Sequence, residues 1–317
     1  MVERLPIIID CDPGQDDAIA LLLAMAPAHE LEILGITTVA GNVRLDLTTR
    51  NARLMCDIAS RDDIAVYAGC DKPLKRQLVT AEKVHGLSGI GGIKVVEPRA
   101  ALGKIHAVDF ITKTLQRAVN VPVTLVLMGP LTNIATAFEM DPSITAGIAE
   151  IVLMGGAMRE GGNISPSAEF NILVDPHAAD RVFRSGVRIT VMGLDATHQV
   201  LSTVERRDRL RAIDNKAGRA AVSILDSYNK FDSAKYGSNG APLHDPCTIA
   251  YLLKPELFHG KNCNLTVETE SELTIGHTAV DFWRVTDRPP NVNWIHTVDA
   301  SGFYDLLFEG LSRFSDS

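Results

Sequence analysis

Short runs of β-branched and leucine residues alternate along the chain with longer stretches whose apolar positions recur every three or four residues. The runs are Ile7–Ile9, Ile33–Val39, Val123–Leu127, Ile151–Leu153 and Ile189–Val191. Each is apolar on both faces, as a strand buried in a parallel sheet must be. Helix-like stretches lie between and after them: Asp16–Met25, with Ile19, Leu22 and Leu23 on one stripe, then Leu47–Ile58, His106–Ala118 and Asn133–Glu139. This repetition predicts an α/β fold: an open, mostly parallel Rossmann-like sheet with helices on both faces. From Val204 to Tyr236 the chain turns polar and helical, an excursion whose charged run Glu205-Arg206-Arg207-Asp208-Arg209 reads as a solvated helix face. Alternation returns over 262–300 (Leu265 and Val267, Val280 and Phe282) and predicts a few more strands. No repeat or linker interrupts the pattern, so residues 1–317 read as one domain.

Open α/β sheets bind ligands beyond the carboxyl ends of their strands. The strongest signal there is Asp10-Cys11-Asp12-Pro13-Gly14-Gln15-Asp16-Asp17, directly after three isoleucines. One or two of these carboxylates fit helix capping, since an N-terminus favours Asp. Four cannot crowd there without raising one another's pKa, and a bound divalent cation resolves the conflict. His244-Asp245-Pro246 offers a further carboxylate, although alone it reads equally as a helix cap with Pro246 in the first turn. Gly41-Asn42, Met128-Gly129-Pro130-Leu131-Thr132-Asn133, Gly155-Gly156 and the stretch from Gly161-Gly162-Asn163 to Glu169-Phe170-Asn171 also follow strand-like runs. No phosphate-binding glycine loop is present. Amides and carboxylates without Lys or Arg suit a neutral polyhydroxyl ligand such as a sugar.

Composition narrows the classes further. Lys and Arg total 31 against 39 Asp and Glu, a net charge of −8, which disfavours nucleic acid as a partner. Five scattered cysteines without a C-x-x-C pair fit neither a zinc ribbon nor a disulfide scaffold and suit a reducing compartment. The longest apolar run, Ala18 to Ala28, is broken by Pro27 and is far too short for a membrane span. With no signal-peptide core near the start, the expectation is a cytoplasmic protein without membrane contact.

The motif from Asp10 to Ala18 resembles the N-terminal signature of the inosine–uridine-preferring nucleoside hydrolases. The resemblance continues in order through Thr37-Thr38-Val39-Ala40-Gly41-Asn42, Val84-His85-Gly86, Gly129-Pro130-Leu131-Thr132-Asn133, Val152-Leu153-Met154-Gly155-Gly156, Ala168-Glu169-Phe170-Asn171 and His244-Asp245-Pro246. It implies hydrolysis of the N-glycosidic bond of a small ribonucleoside to ribose and free base. It also implies one Ca²⁺ held by Asp12, Asp17, Asp245 and the Met128 carbonyl, with the sugar diol and a water completing a shell of about seven or eight oxygens. Asp12 would be the general base toward that water. Asp16, Asn42 and Asn171 would hold the diol, and Asn163 and Glu169 the 5′-hydroxyl. Met154 and Phe170 would form apolar walls, with His85 near the base or ribose. His244 would be the acid for the leaving base, since a free imidazole of pKa about 6.5 is roughly one quarter protonated at pH 7. Tyr236-Gly237 with Gly240-Ala241-Pro242 is similar to the pyrimidine-preferring bacterial members, although Asp232 stands where those show Gln. Uridine and cytidine are therefore the expected substrates, with a broad or purine-accepting enzyme the alternative. By family analogy the chain forms a homodimer or homotetramer. Two further readings are a Mg²⁺ phosphohydrolase, for which no lysine stands beside a strand-end motif, and a nucleoside-binding protein without turnover.

Overall fold

The first isoleucine run forms β1 (Leu5–Cys11), and its alternation divides the molecule. Ile7, Ile9 and Cys11 pack into one core layer and Ile8 into the other. The computed structural model describes residues 4–27, 30–236 and 239–315, for 231–236 the backbone alone. After β1 come α1 (Gln15–Met25), β2 (Leu31–Thr38), α2 (Leu45–Ile58), β3 (Val66–Ala68), α3 (Glu82–His85) and α4 (Ala107–Arg117). Then follow β4 (Val123–Leu127), α5 (Thr132–Met140), β5 (Ile148–Met154), α6 (Phe170–Val174), α7 (Pro176–Phe183) and β6 (Ile189–Met192). The remainder is α8 (Leu194–Thr197), α9 (Val204–Arg211), α10 (Lys216–Tyr236), α11 (Pro246–Leu253), β7 (Phe258–Val267), β8 (Thr278–Asp281), β9 (Val292–Val298) and α12 (Ala300–Ser312).

The nine strands form one sheet in the order β3-β2-β1-β4-β5-β6-β9-β7-β8. All are parallel from β3 to β9, while β7 pairs antiparallel with both β9 and β8. The expected open parallel sheet is thus present, with α9 and α10 as the helical excursion. One layer packs α1, α2, α10, α11 and α12 on the sheet, and the other packs α4, α5 and α7. Strand order reverses between β1 and β4, so their carboxyl ends flank a crevice of the kind that binds ligands in such sheets.

One helix departs from the sequence expectation. The stripe of Ile19, Leu22 and Leu23 suggested a one-sided helix, but every residue of α1 is buried. Helices α2, α10, α11 and α12 pack against it in addition to the sheet, and a helix apolar all round is one that the core encloses. The few strands expected over 262–300 are present as β7, β8 and β9, and β9 inserts between β6 and β7, where Trp294 is fully buried. Among the described residues no helix is long and apolar enough to cross a membrane.

Candidate active site

Beyond β1 the chain turns through Asp12-Pro13-Gly14 into α1, and the turn is held by its own acids. Asp17 Oδ2 accepts the Gly14 N–H (2.9 Å) and Oδ1 the Asp12 N–H (3.2 Å), so the capping role foreseen for this motif is filled by Asp17. Asp10 faces the opposite layer, where Oδ1 accepts from Thr37 Oγ1 and from Asn133 Nδ2 (2.7 Å). Asn133 also donates to the Thr38 carbonyl and accepts the Cys70 N–H, bracing the ends of β1, β2 and β3 against α5.

Asp12 is fully buried. Its Oδ2 accepts the Asn42 N–H (2.6 Å), whereas its Oδ1 has no partner among the described residues. Gly41 and Gly129 make room for this carboxylate: a Cβ would stand 2.1 Å from Oδ2 at Gly41 and 2.6 Å from Oδ1 at Gly129. Real contacts of that kind do not occur, so both strand-end loops need glycine here by close approach.

Asp245 arrives from the other end of the chain. Residues 241–243 run beside 200–202, joined by the Leu201–Pro242 bridge and the Leu243 N–H to the Val200 carbonyl. Asp245 occupies the N-cap position of α11 with Pro246 next, yet its side chain makes no capping bond. It turns instead to α1, where carboxylate oxygens of Asp16, Asp17 and Asp245 all lie within 4.8 Å of one another. Burial pushes the carboxyls of Asp12, Asp16, Asp17 and Asp245 up, and the negative charge of neighbouring members raises Asp12, Asp16 and Asp245 further. Burial also lifts Asp10 to about 7, against the pull of its two hydrogen bonds. Such a group is stable as anions only around a cation. An all-oxygen donor set with one bare buried oxygen fits a hard divalent ion.

Two of these acids, Asp16 and Asp245, line a cavity of about 690 Å³. Asp16, Asn42, His85, Met128, Met154, Asn163, Glu169, Phe170, Asn171, His244 and Asp245 line it, while Asp12 and Asp17 lie behind them. The side chain of Tyr236 lies outside the described residues. Asn42 Nδ2 donates to the Asp12 carbonyl and to Asp17 Oδ2, both at 3.2 Å. Asn171 Nδ2 donates to the Met128 carbonyl (2.9 Å) and the Met154 carbonyl (3.2 Å), joining the ends of β4 and β5. Glu169 caps α6: its carboxylate accepts from the N–H groups of Asn171, Ile172 and Gly156. Burial nonetheless raises its pKa, more than those bonds lower it. Asn163 Oδ1 accepts the Phe170 N–H.

His85 sits against the acidic turn, its Nδ1 accepting the Gln15 N–H (3.3 Å), and stacks on Tyr228 with ring centroids 6.1 Å apart; burial lowers its pKa to about 4. His244 Nδ1 meets Thr197 Oγ1 at 2.8 Å. Burial, together with His198 and His85, drives His244 well below the ordinary imidazole range, so its protonated fraction near pH 7 is smaller than in a free ring. The sequence reading did not single out Tyr228, Thr197, His198 or Glu160 for this site. Of these, Tyr228, His198 and Glu160 line the cavity, and His198 pairs with Glu160 at 2.9 Å. Only the preceding strand end at Met192 could have drawn notice to residues 193–198.

Residues 7–305 match the family model described as inosine-uridine preferring nucleoside hydrolase. An uncharacterised protein of Schizosaccharomyces pombe is 48% identical over 309 residues, covering 98% of this chain and 99% of its own. The pyrimidine-specific ribonucleoside hydrolase RihA of Shewanella sp. (strain MR-7) is 46% identical over 311 residues, with 98% and 97% covered. The solved purine-preferring ribonucleoside hydrolase from Gardnerella vaginalis superposes with a TM-score of 0.89 at 32% identity, over 97% of this chain and 98% of that one. Sequence, fold and strand-end acids agree, and the chain belongs to the inosine-uridine preferring nucleoside hydrolase family, as a hydrolase of the ribonucleoside N-glycosidic bond.

Proposed function

We propose that this enzyme favours uridine and cytidine, and that Asp12, Asp17, Asp245 and the Met128 carbonyl hold one Ca²⁺. The observation that carries the reading is the set of buried carboxylates at the reversal of strand order, each pushed toward protonation unless a cation is bound. When bound, the ion neutralises these charges, orders the sugar diol and makes a water more acidic.

The chain's own residues supply the remainder. Asp12 Oδ1, without a partner among the described residues, takes the proton as water oxygen bonds to C1′ and the bond from C1′ to the base nitrogen breaks. Asp16, Asn42 and Asn171 hold the diol, and Asn163 and Glu169 the 5′-hydroxyl. Positive charge grows on the ribose in the oxocarbenium-like transition state, and fixed carboxylates favour that state over the ground state. His244 meets the leaving base and stabilises the negative charge it gains. His85, Met154 and Phe170 enclose the nucleoside, and residues 1–317 act as one catalytic domain. Homodimeric or homotetrameric assembly in the cytoplasm belongs to the same proposal, by analogy with the family.

The pyrimidine preference follows the 46% identical RihA relative, whereas the purine-preferring structure is 32% identical. Ribose release from uridine, cytidine, inosine and adenosine, with and without EGTA, tests the proposal. Faster release from the two pyrimidines, abolished by EGTA and restored by Ca²⁺, is expected. Faster release from inosine would overturn the preference, and no release from any of the four would overturn the function.

A further inference from the structure

Thr197 is fully buried at the end of α8, and the one hydrogen bond of its hydroxyl among the described residues runs to His244 Nδ1. A hydroxyl has a single hydrogen to give, and a neutral imidazole has one donor and one acceptor nitrogen. Were Nδ1 the donor, the Thr197 hydrogen would be buried with no acceptor, which is the costly case. With the hydroxyl donating, both atoms are satisfied and the ring hydrogen resides on Nε2. No hydrogen bond reaches Nε2 among the described residues, and His244 lines the cavity.

The support behind Thr197 is firm. The Leu194 N–H donates to the Gly156 carbonyl, and the Asp195 carboxylate accepts the N–H groups of Met158 and Arg159, both at 2.8 Å. A Cβ at Gly193 would stand 2.4 Å from the Trp294 ring, so the start of α8 sits hard against β9. His198, paired with Glu160, packs beside His244 with ring centroids 5.6 Å apart.

We infer that Thr197 is a positioning residue that fixes the ring of His244 so that Nε2–H faces an acceptor atom of the leaving base. The inference rests on the placement of His244 at the base given above. It also defines the matching substrate chemistry, an acceptor beside the glycosidic nitrogen such as the C2 carbonyl oxygen of a pyrimidine. Negative charge grows there as the bond breaks, and a fixed donor then gains strength.

The test uses the full chain with ¹⁵N-labelled histidine, as wild type, Thr197→Val and Thr197→Ser. At pH 8 the His244 signals, assigned by their loss in His244→Gln, should show the Nε2–H tautomer in wild type and serine variants and a mixture in the valine variant. In the valine variant kcat for uridine should fall by about 10- to 100-fold, with a much smaller loss for p-nitrophenyl riboside, and serine should restore it. An Nδ1–H tautomer in wild type would overturn the inference. So would a valine variant that keeps the wild-type tautomer, or one that loses both activities by the same factor. Should wild type cleave neither compound, the proposed function fails, and the tautomer measurement still decides the role of Thr197.

Discussion

At Asp12 one oxygen accepts the Asn42 N–H and the other has no partner among the described residues, while two glycines leave the carboxylate its space. Asp12→Asn should therefore lower kcat by ~10²–10⁴ with an unchanged circular dichroism spectrum, because it removes a base and relieves like-charge crowding. A variant with more than a tenth of wild-type kcat would refute the assignment. Gly41→Ala places a methyl against Asp12 Oδ2 and should cost about 1–3 kcal/mol in urea unfolding together with at least about a tenfold loss of kcat from the displaced base. Full activity would mean that Asp12 is not held in place. His244→Ala should lose about 10²–10⁴ in kcat on uridine and little on p-nitrophenyl riboside, whose phenolate leaves without help. Equal losses on the two substrates would make His244 a packing residue only. Most acids and amides of this site were legible because they stand in motifs that follow strand-like runs, whereas Asp245, ahead of α11, read alone equally as a helix cap. Thr197, His198 and Glu160 were not, since a four-residue helix and a loop carry no hydrophobic period, and a histidine's hydrogen-bond partner is set by tertiary contact.

Helices here begin on side chains that also tie loops together. Asp175 is buried at the start of α7, where Oδ1 accepts the Ala178 N–H and Oδ2 accepts from Thr132 Oγ1 and the Leu74 N–H. Asp175→Ala removes a cap and strands a buried hydroxyl and an N–H. It should cost about 2–4 kcal/mol by urea titration and leave KM for uridine near wild type, because the residue does not line the cavity. A loss under about 0.5 kcal/mol would show that water replaces all three bonds. Glu169 is the parallel case inside the cavity, where the bland capping role and the proposed sugar contact belong to one carboxylate. Among elements, the five buried strand cores and four helices were readable from period alone. β3, α3 and α8, of three or four residues each, were not, because they are shorter than the pattern that would announce them.

For the molecule as a whole, alternation of strand and helix told of a parallel sheet, but strand order is not written in that alternation. The insertion of β9 beside β6 is decided by which faces cover Trp294 and its neighbours. The proposed Ca²⁺ would neutralise these buried like charges, so its binding should stabilise the fold as a whole. Ca²⁺ at 100 times its dissociation constant should stabilise the EGTA-stripped protein by about 2.7 kcal/mol, roughly 4 °C in Tm, seen by calorimetry. An unmoved Tm, or zinc in the active protein by elemental analysis, would defeat the calcium assignment. The meeting of Asp16 and Asp17 with Asp245 also sets a timetable for synthesis. A ribosome adding about 5–20 residues per second needs about 12–50 s to travel from the first of these codons to the last. Throughout that interval the nascent chain carries its acidic turn without the partner that closes the ring. The residues translated among the first are thus among the last to reach their final electrostatic surroundings.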